Sequence, residues 1–253
     1  MSSYTAFAEF YDALTTDVDY QKRAEYVCTL LARYDHPFGL TLDLACGTGS
    51  LTVALAQRGI DIYGVDGSSS MLTVAQQKAA EANTPLLFLC QQMQELDLFG
   101  TVDTVLCMLD SINHLTEEAD VIQVFSRVSL FLNPGGYFVF DVNTPYKHRH
   151  VLGNHTFLYE TEQIYCIWQN ALEEETGIVE ITLDFFARQQ NGLYNRQTEC
   201  FCERPYGTVD LARLLECAGL EPVAMYDDGT FTPASPQSER WMIIAKKPDN
   251  SER

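Results

Sequence analysis

The sequence is short of basic residues, and this shortage limits the partners that we expect for it. It has 16 lysine and arginine residues against 35 aspartate and glutamate residues, which gives a formal net charge of −19 at pH 7. Because a phosphate backbone is also negatively charged, electrostatics would repel a nucleic acid rather than attract it. We therefore expect no nucleic-acid partner.

The sequence also lacks a long apolar run. No segment approaches the ~18 consecutive apolar residues of a membrane-spanning helix, and the opening MSSYTAFAEFYD has neither the basic stretch nor the apolar stretch of a secretory signal. With 253 residues, 46% of them hydrophobic, the chain can still bury a full core. The expectation is a cytoplasmic protein with no membrane partner, built as one domain that carries an insertion or as one ordinary α/β domain.

Paired metal-ligand spacings are missing as well. The eight cysteines are scattered, and the sequence has no C-x-x-C pair and no histidine spacing typical of a zinc site. We expect reduced and mostly buried thiols, no disulfide and no metal.

A repeated pattern of strand, turn and helix is what the sequence does contain. Short apolar runs end at glycine or aspartate turns and are followed by segments of helical periodicity, and two further strands close the chain. This pattern predicts an α/β fold with a doubly wound, mostly parallel seven-stranded sheet whose last strand is antiparallel. The predicted strands are 40–45, 60–65, 86–90, 104–108, 137–142, 221–226 and 240–246.

The pattern changes in the segment 151–206. Several runs there alternate with a period of two, and turn sequences such as EEETG and QQNG separate them. We therefore expect a small inserted antiparallel β-sheet at 151–206 that forms a lid over the substrate. The main domain would consist of residues 1–150 and 207–253.

The run LDLACGTGSLT, at 42–52, places two glycines where the first strand turns into a helix. A dinucleotide site needs G-x-G-x-x-G, but Thr52 takes the place of the third glycine, so a pyrophosphate ligand has no specific support. Asp66 follows the second strand, where a carboxylate can accept both hydroxyls of a ribose. Asp43, just before the turn, favours a cationic ligand. An adenosine with a positively charged amino-acid tail therefore suits the turn better than a dinucleotide.

Four motifs resemble, in order and spacing, those of the class I S-adenosylmethionine-dependent methyltransferases. They are DLACGTG at 43–49, VDGSSSM at 65–71, LDSINHL at 109–115 and LNPGGYF at 132–138. The resemblance covers most of 4–146 and resumes over about 208–247, and it implies a Rossmann-like main domain. FAEFYD, at 7–12, and the inserted sheet are similar to small-molecule N-methyltransferases such as those acting on amino sugars or glycine.

This resemblance implies a ligand set. The cofactor would be S-adenosyl-L-methionine, the product S-adenosyl-L-homocysteine, and the partner a small-molecule methyl acceptor, with an amine nitrogen favoured over an oxygen. The protein would act as a monomer or a homodimer. A non-catalytic nucleoside-binding interaction module is the alternative, and an NAD-dependent oxidoreductase is disfavoured by the missing third glycine.

The resemblance also assigns cofactor contacts. Asp66 would bind the ribose hydroxyls, Met71 would pack on the adenine, and Gln92 takes the place of the aspartate that usually contacts the adenine amino group. Tyr11 belongs to an aromatic lead-in that would fold over the cofactor. The full expected set is Tyr11, Ala45, Cys46, Gly47, Gly49, Asp66, Gly67, Met71, Gln92, Met93 and Met108.

Candidate catalytic residues follow from the same motifs. The resemblance implies that residues 108–114 face the sulfonium and the acceptor. His114, Asp110 and Tyr11 are expected to take or relay a proton from an amine acceptor, since the nitrogen must be neutral to attack. Tyr4 and Tyr20 complete the lead-in, and Arg23 stands where the family often has a tryptophan.

Overall fold

The structure is a computed structural model that describes Ala8, Tyr11, Asp12 and residues 18–249. Helices and strands alternate through the first half of this part of the chain, as the apolar periodicity predicts. In order they are α1 (Tyr20–Ala32), β1 (Thr41–Leu44), α2 (Ser50–Ala56), β2 (Ile62–Asp66), α3 (Ser69–Glu81), β3 (Phe88–Cys90), β4 (Val102–Cys107), α4 (Glu118–Phe131) and β5 (Leu132–Asn143).

The second half begins with an antiparallel segment and then returns to the main sheet. Short helical turns cover Pro145–Lys147 and His148–Leu152, and two short 3-10 turns lie earlier, at Met93–Glu95 and Ser111–His114. The remaining elements are β6 (Thr156–Glu160), β7 (Ile164–Leu172), β8 (Val179–Arg188), β9 (Tyr194–Glu203), α5 (Thr208–Cys217), β10 (Glu221–Asp227) and β11 (Arg240–Lys246).

The main sheet has seven strands in the order β10-β11-β5-β4-β1-β2-β3. Strands β1 to β5 pair in parallel, whereas β11 is antiparallel to both β5 and β10. The predicted fold class is therefore confirmed. Because β1 lies between β2 and β4, the order reverses at β1 and β4, and a ligand crevice is expected outside the carboxyl ends of these strands.

Helices cover both faces of this sheet. Apolar residues of α4 and α5 pack on one face with Phe138 and Phe140. Residues of α1 and α2 pack on the other face with Val139 and Met242. This two-sided burial explains why the strands read as nearly continuous apolar runs in the sequence.

Strand β5 starts earlier than predicted. The sequence indicates a strand over 137–142 and a helix end at NPGG, whereas β5 begins at Leu132 and contains those glycines. Val102 pairs with Leu132, and the register then shifts before Thr104 pairs with Tyr137. A Cβ on Gly136 would lie 2.8 Å from the carbonyl oxygens of Asn133 and Asp103. Glycine permits this bulge, so NPGG belongs to the strand rather than to a helix end.

The inserted segment forms a separate four-stranded sheet, β6-β7-β8-β9, in which every pairing is antiparallel. One face carries its own buried cluster, which includes Cys166, Ile181, Leu183 and Phe185. The antiparallel character predicted for this segment is confirmed. Its role as a substrate lid, with limits at 151 and 206, stays a prediction.

The structure also bears on the expectations that the thiols are mostly buried and that no helix spans a membrane. All eight cysteines are free, but only Cys107 and Cys166 are buried, so the expectation of mostly buried thiols is wrong. Cys90, Cys200 and Cys217 are exposed because they lie at the end of β3, on β9 and at the end of α5. Across Ala8, Tyr11, Asp12 and 18–249, every helix is too short or too polar to cross a membrane.

Candidate active site

A cleft of about 360 Å³ opens at the carboxyl ends of β1, β2 and β4. Most of the expected cofactor contacts line it, as does His114. Cys46 and Met108 line an adjoining cavity of about 40 Å³, together with Tyr20 and Asp43. The expected contacts in the larger cleft are Tyr11, Ala45, Gly47, Asp66, Gly67, Met71, Gln92 and Met93.

The two glycines of the turn after β1 have different structural roles. Both have left-handed backbones, with φ of +55° at Gly47 and +71° at Gly49. A Cβ on Gly47 would meet no atom within 4 Å, so this glycine presents open backbone to the cleft. A Cβ on Gly49 would lie 2.8 Å from Cβ of Ala75, so this glycine lets α2 approach α3. Ala45 also has a positive φ of +58°, and such strain is often concentrated at binding sites.

Alanine at each glycine should separate these two roles. Both substitutions meet a left-handed backbone, which costs about 1–2 kcal/mol. For Gly49→Ala we expect a further loss of about 1–3 kcal/mol from overlap with Ala75. Gly47→Ala should instead weaken binding of the expected cofactor, because its methyl group enters the cleft. Urea unfolding and calorimetry on both variants measure the two effects, and a reversed pattern would contradict the assignment.

Asp66 ties the glycine turn to the start of α3. The Gly47 amide donates to Oδ2 and the Ser68 amide donates to Oδ1, both at 2.8 Å. Burial raises the pKa of Asp66, although these two hydrogen bonds oppose the shift. The carboxylate is thus fixed at the wall of the cleft, where the resemblance expects ribose hydroxyls.

Gln92 packs closely against Gly67. Its Nε2 donates to the Gly67 carbonyl at 3.4 Å, and a Cβ on Gly67 would lie 2.6 Å from Oε1 of Gln92. Glycine at 67 therefore lets the amide that replaces the usual aspartate reach the cleft. Its contact with an adenine stays a prediction.

Thr52, which replaces the third glycine of a dinucleotide motif, bonds Asp43. Its hydroxyl donates to Oδ2 of Asp43 at 2.6 Å. Asp43 is 2% exposed, and burial raises its pKa to about 7, with Thr52 opposing the shift and Asp66 adding to it. Thr52 therefore supports the turn from inside the fold, which accounts for the departure from the dinucleotide pattern.

The described part of the lead-in is attached to the glycine turn. Asp12 accepts a hydrogen bond from the Thr48 hydroxyl at 2.8 Å and pairs with Nζ of Lys78 at 2.6 Å. Burial, Tyr20 and Asp110 raise the pKa of Tyr11 well above its usual value, so Tyr11 keeps its phenolic proton. Tyr4 lies outside the described residues.

A strained turn follows β4. Leu109 and Asp110 have φ of +59° and +53°, and Asp141 of β5 holds both residues in place. Their backbone amides donate to Asp141 Oδ2 at 3.0 Å and to Oδ1 at 2.6 Å. Sequence reasoning missed Asp141, although a lone acid inside the apolar run 137–142 could have indicated it.

Two arginines complete this buried network. Arg240 pairs with Asp141 at 2.8 Å and with Asp110 at 2.6 Å, and Arg23 pairs with Asp141 at 3.1 Å and with Asp228 at 2.8 Å. Arg23, at the place of the family tryptophan, therefore belongs to an ion-pair network in this chain. Burial tends to raise the pKa of Asp110, but Arg240 and other cationic neighbours hold it below its usual range.

His114 is the candidate base with the most suitable surroundings. Its side chain is 26% exposed, and its ring lies 5.0 Å from that of Phe201 in the inserted sheet. Burial lowers the pKa of His114, while Asp110 opposes the shift, so the neutral imidazole predominates near pH 7. Asp110, already paired with Arg240, is a weaker proton acceptor than His114.

Three side chains of this region lie close together, but the charge beside them does not suit a metal ion. One polar atom each of Asp110, His114 and Glu203 lie within 4.8 Å of one another. Arg240 is bonded to Asp110 at 2.6 Å, and its positive charge would oppose a metal cation. The expectation of a metal-free site stays a prediction.

Comparisons with known proteins extend over nearly the whole chain. Residues 41–136 match a family model described as a methyltransferase domain. A Geobacillus sp. protein provisionally named a methyltransferase is 35% identical over 246 residues, which cover 97% of this chain and 100% of the relative. The crystal structure of an S-adenosylmethionine-dependent methyltransferase from Clostridium acetobutylicum is 31% identical, with a TM-score of 0.87 over 98% of this chain and 100% of that chain. The sugar N-methyltransferase KedS8 from Streptoalloteichus sp. shares the fold at 21% identity, with a TM-score of 0.75 over 94% and 93% of the two chains.

Proposed function

The chain belongs to the class I S-adenosylmethionine-dependent methyltransferases, and from this membership we propose that it methylates an amine nitrogen of a small molecule. The observation that carries the proposal is the neutral imidazole of His114 at the cleft, which supplies a base for the acceptor. The fold shared with a sugar N-methyltransferase is what favours an amine over an alcohol. An amine that binds as an ammonium ion must lose a proton before it can attack, and a neutral imidazole can accept that proton. The fold shared with a sugar N-methyltransferase supports amino sugars as one acceptor class.

The residues present fit the cofactor. Gly47 offers open backbone at the cleft, Asp66 presents a fixed carboxylate for ribose hydroxyls, and Met71 gives an apolar surface for the adenine. When bound, S-adenosylmethionine supplies a methyl group made electrophilic by its sulfonium. Gln92 and the other predicted contacts that line the two cavities complete the proposed pocket, whereas Gly49 lines neither cavity and packs against Ala75 instead.

The chain's own contribution to the reaction is alignment and proton handling. Holding a nucleophile and an electrophile in line in a closed site can lower a barrier by about 7–11 kcal/mol. In the proposed mechanism His114 takes the acceptor proton, and Tyr11, which keeps its own proton, donates a hydrogen bond that orients the acceptor. Asp110 keeps the strained turn in place through Arg240.

A labelled-methyl assay tests this proposal. The protein would be incubated with methyl-labelled S-adenosylmethionine and a panel of amino sugars and small amines, each beside the matching alcohol as control. We expect label on an amine, and a rate about 10²–10⁴-fold lower for His114→Asn. Label on alcohols only would contradict the amine proposal. An unchanged rate in the variant would assign the proton step to another residue.

A further inference from the structure

Glu203 and His148 form a buried pair behind His114. The Glu203 side chain, at the end of β9, is 5% exposed, and its Oε1 lies 4.0 Å from Nε2 of His114. Its Oε2 accepts a hydrogen bond from Nδ2 of Asn143 at 3.1 Å and lies 3.6 Å from Nε2 of His148. The inserted sheet thus places a carboxyl group directly behind the histidine that lines the cleft.

The protonation of His148 follows from its contacts. Its side chain is fully buried, and Nδ1 lies 3.1 Å from the carbonyl oxygen of Gly177. A carbonyl oxygen only accepts, so Nδ1 carries the hydrogen. Burial lowers the pKa of His148 to about 4, although Gly177 opposes the shift, so the ring is neutral and Nε2 presents a lone pair. Nε2 has no hydrogen-bond partner among the described residues. A proton on Oε2 of Glu203 would give this lone pair a donor.

The charges around Glu203 also favour such a proton. Three aspartates and three cations of this region offset one another, and Glu239 adds a further negative charge near Lys147. An ionised Glu203 would add one uncompensated negative charge in a buried place. Burial and Asp110 raise the pKa of Glu203 to about 8, although Asn143, Lys147 and Arg240 oppose the shift. The two sets are Asp110, Asp141 and Asp228 against Arg23, Lys147 and Arg240.

We propose that Glu203 is a proton-exchanging counter-ion for cationic ligands of the cleft. While the cleft contains no cation, Glu203 keeps a proton and directs it toward the Nε2 lone pair of His148. When a positive group lies beside His114, Glu203 releases that proton to solvent. This inference rests on the proposed function, since it assumes that the cofactor sulfonium or an ammonium acceptor occupies that position. Glu203 acts through His114 and is therefore a positioning residue.

The carboxylate that remains after this release has a role in methylation of an amine, because it can accept a second proton, that of the acceptor. Once Glu203 is ionised, the acceptor ammonium can give up its proton: the N–H bond breaks, its electron pair stays on nitrogen, and His114 receives the proton. His114 passes it to Oε1 of Glu203, which restores the neutral acid. The groups that face Glu203 in this step are Asp110 and His114 after β4, Asn143, Lys147 and His148 at the end of β5, and Arg240 of β11.

Proton-linked calorimetry tests the proposal without any acceptor. Binding of S-adenosylmethionine and of S-adenosylhomocysteine would be measured at pH 7.5 in phosphate and in Tris, whose ionisation enthalpies differ. The two ligands differ by the methyl group and its positive charge, so the difference in released protons reports the effect of that charge. We expect S-adenosylmethionine to release up to about three-quarters of a proton more, which is the protonated fraction at pH 7.5 of a group whose pKa is about 8.

Two variants and an infrared measurement test whether Glu203 is the group that releases the proton. The difference should vanish in Glu203→Gln and persist in Glu160→Gln, a control at an exposed glutamate of β6. Equal proton release by the two ligands in the unaltered protein, or a difference that survives Glu203→Gln, would overturn the proposal. If Glu203→Gln does not fold, infrared difference spectra of the unaltered protein decide: S-adenosylmethionine alone should remove a protonated-carboxyl band, and its persistence would overturn the proposal. A failed amine panel would refute the proposed function and leave this result standing.

Discussion

Replacing Asp141 with alanine is expected to lower the free energy of unfolding by about 3–5 kcal/mol, because it removes one partner from a buried ion-pair network. Arg240 would lose its hydrogen bond to Asp141, and Arg23 would keep only Asp228. The amides of Leu109 and Asp110 would also lose their acceptors in a turn with positive φ. Urea unfolding measures the loss, and methyl transfer should fall with it.

The control for Asp141→Ala is Asp97→Ala. Asp97 is 80% exposed and pairs with Arg127 at 3.4 Å, and such surface pairs contribute about 0–1 kcal/mol. Asp141→Asn, which keeps one acceptor oxygen, should fall between the two alanine variants. Similar small losses for both alanine variants would show that the buried network does not hold the turn.

Replacing Asp66 with alanine should weaken S-adenosylmethionine binding by about 1.5–3 kcal/mol, which corresponds to roughly a tenfold to hundredfold higher Kd. The substitution removes the proposed acceptor of the ribose hydroxyls and frees the amides of Gly47 and Ser68. Because the ribose is common to both ligands, S-adenosylhomocysteine should lose the same factor. Calorimetry with both ligands tests this.

Asp61→Ala is the matched control for Asp66→Ala. Asp61 is exposed and immediately precedes β2, at the opposite end of the strand from Asp66. It should leave both dissociation constants unchanged. An unchanged Kd in Asp66→Ala would place the ribose elsewhere in the cleft.

The fold could be predicted from the sequence because its strands carry a strong local signal. Strands buried on both faces read as apolar runs, and the helices between them show clear periodicity and end signals, such as the Ser68 hydroxyl that caps α3. The start of β5 could not be predicted, because NPGG has the composition of a helix end. Only pairing with Val102 on another strand makes it part of the sheet.

The candidate site also contains residues that the sequence could predict and residues that it could not. Residues that follow a strand directly, such as Gly47, Asp66 and His114, could be proposed from motifs because the ends of parallel strands meet at one edge. Arg240 and Glu203 could not, and Asp141 is indicated only as a lone acid in an apolar run, because the partners of all three lie far away along the chain. Asp141 is 31 residues from Asp110, and Arg240 is 99 residues from Asp141. The motifs likewise could not distinguish Gly47 from Gly49, which differ only in what surrounds them.

Asn113 forms hydrogen bonds with both ends of the inserted segment. Its side chain exchanges two hydrogen bonds with the backbone of Asn143, where β5 ends, and donates a third to the carbonyl of Arg204, just after β9. The backbone carbonyl of Asn113 accepts a further hydrogen bond from the amide of Arg204. Because the entropy of closing a loop grows only slowly with its length, a segment held in this way can gain, lose or exchange residues at little cost to the rest of the molecule. The insertion is thus a separable unit: its length and composition can change while the glycine turn that would bind the cofactor keeps its geometry.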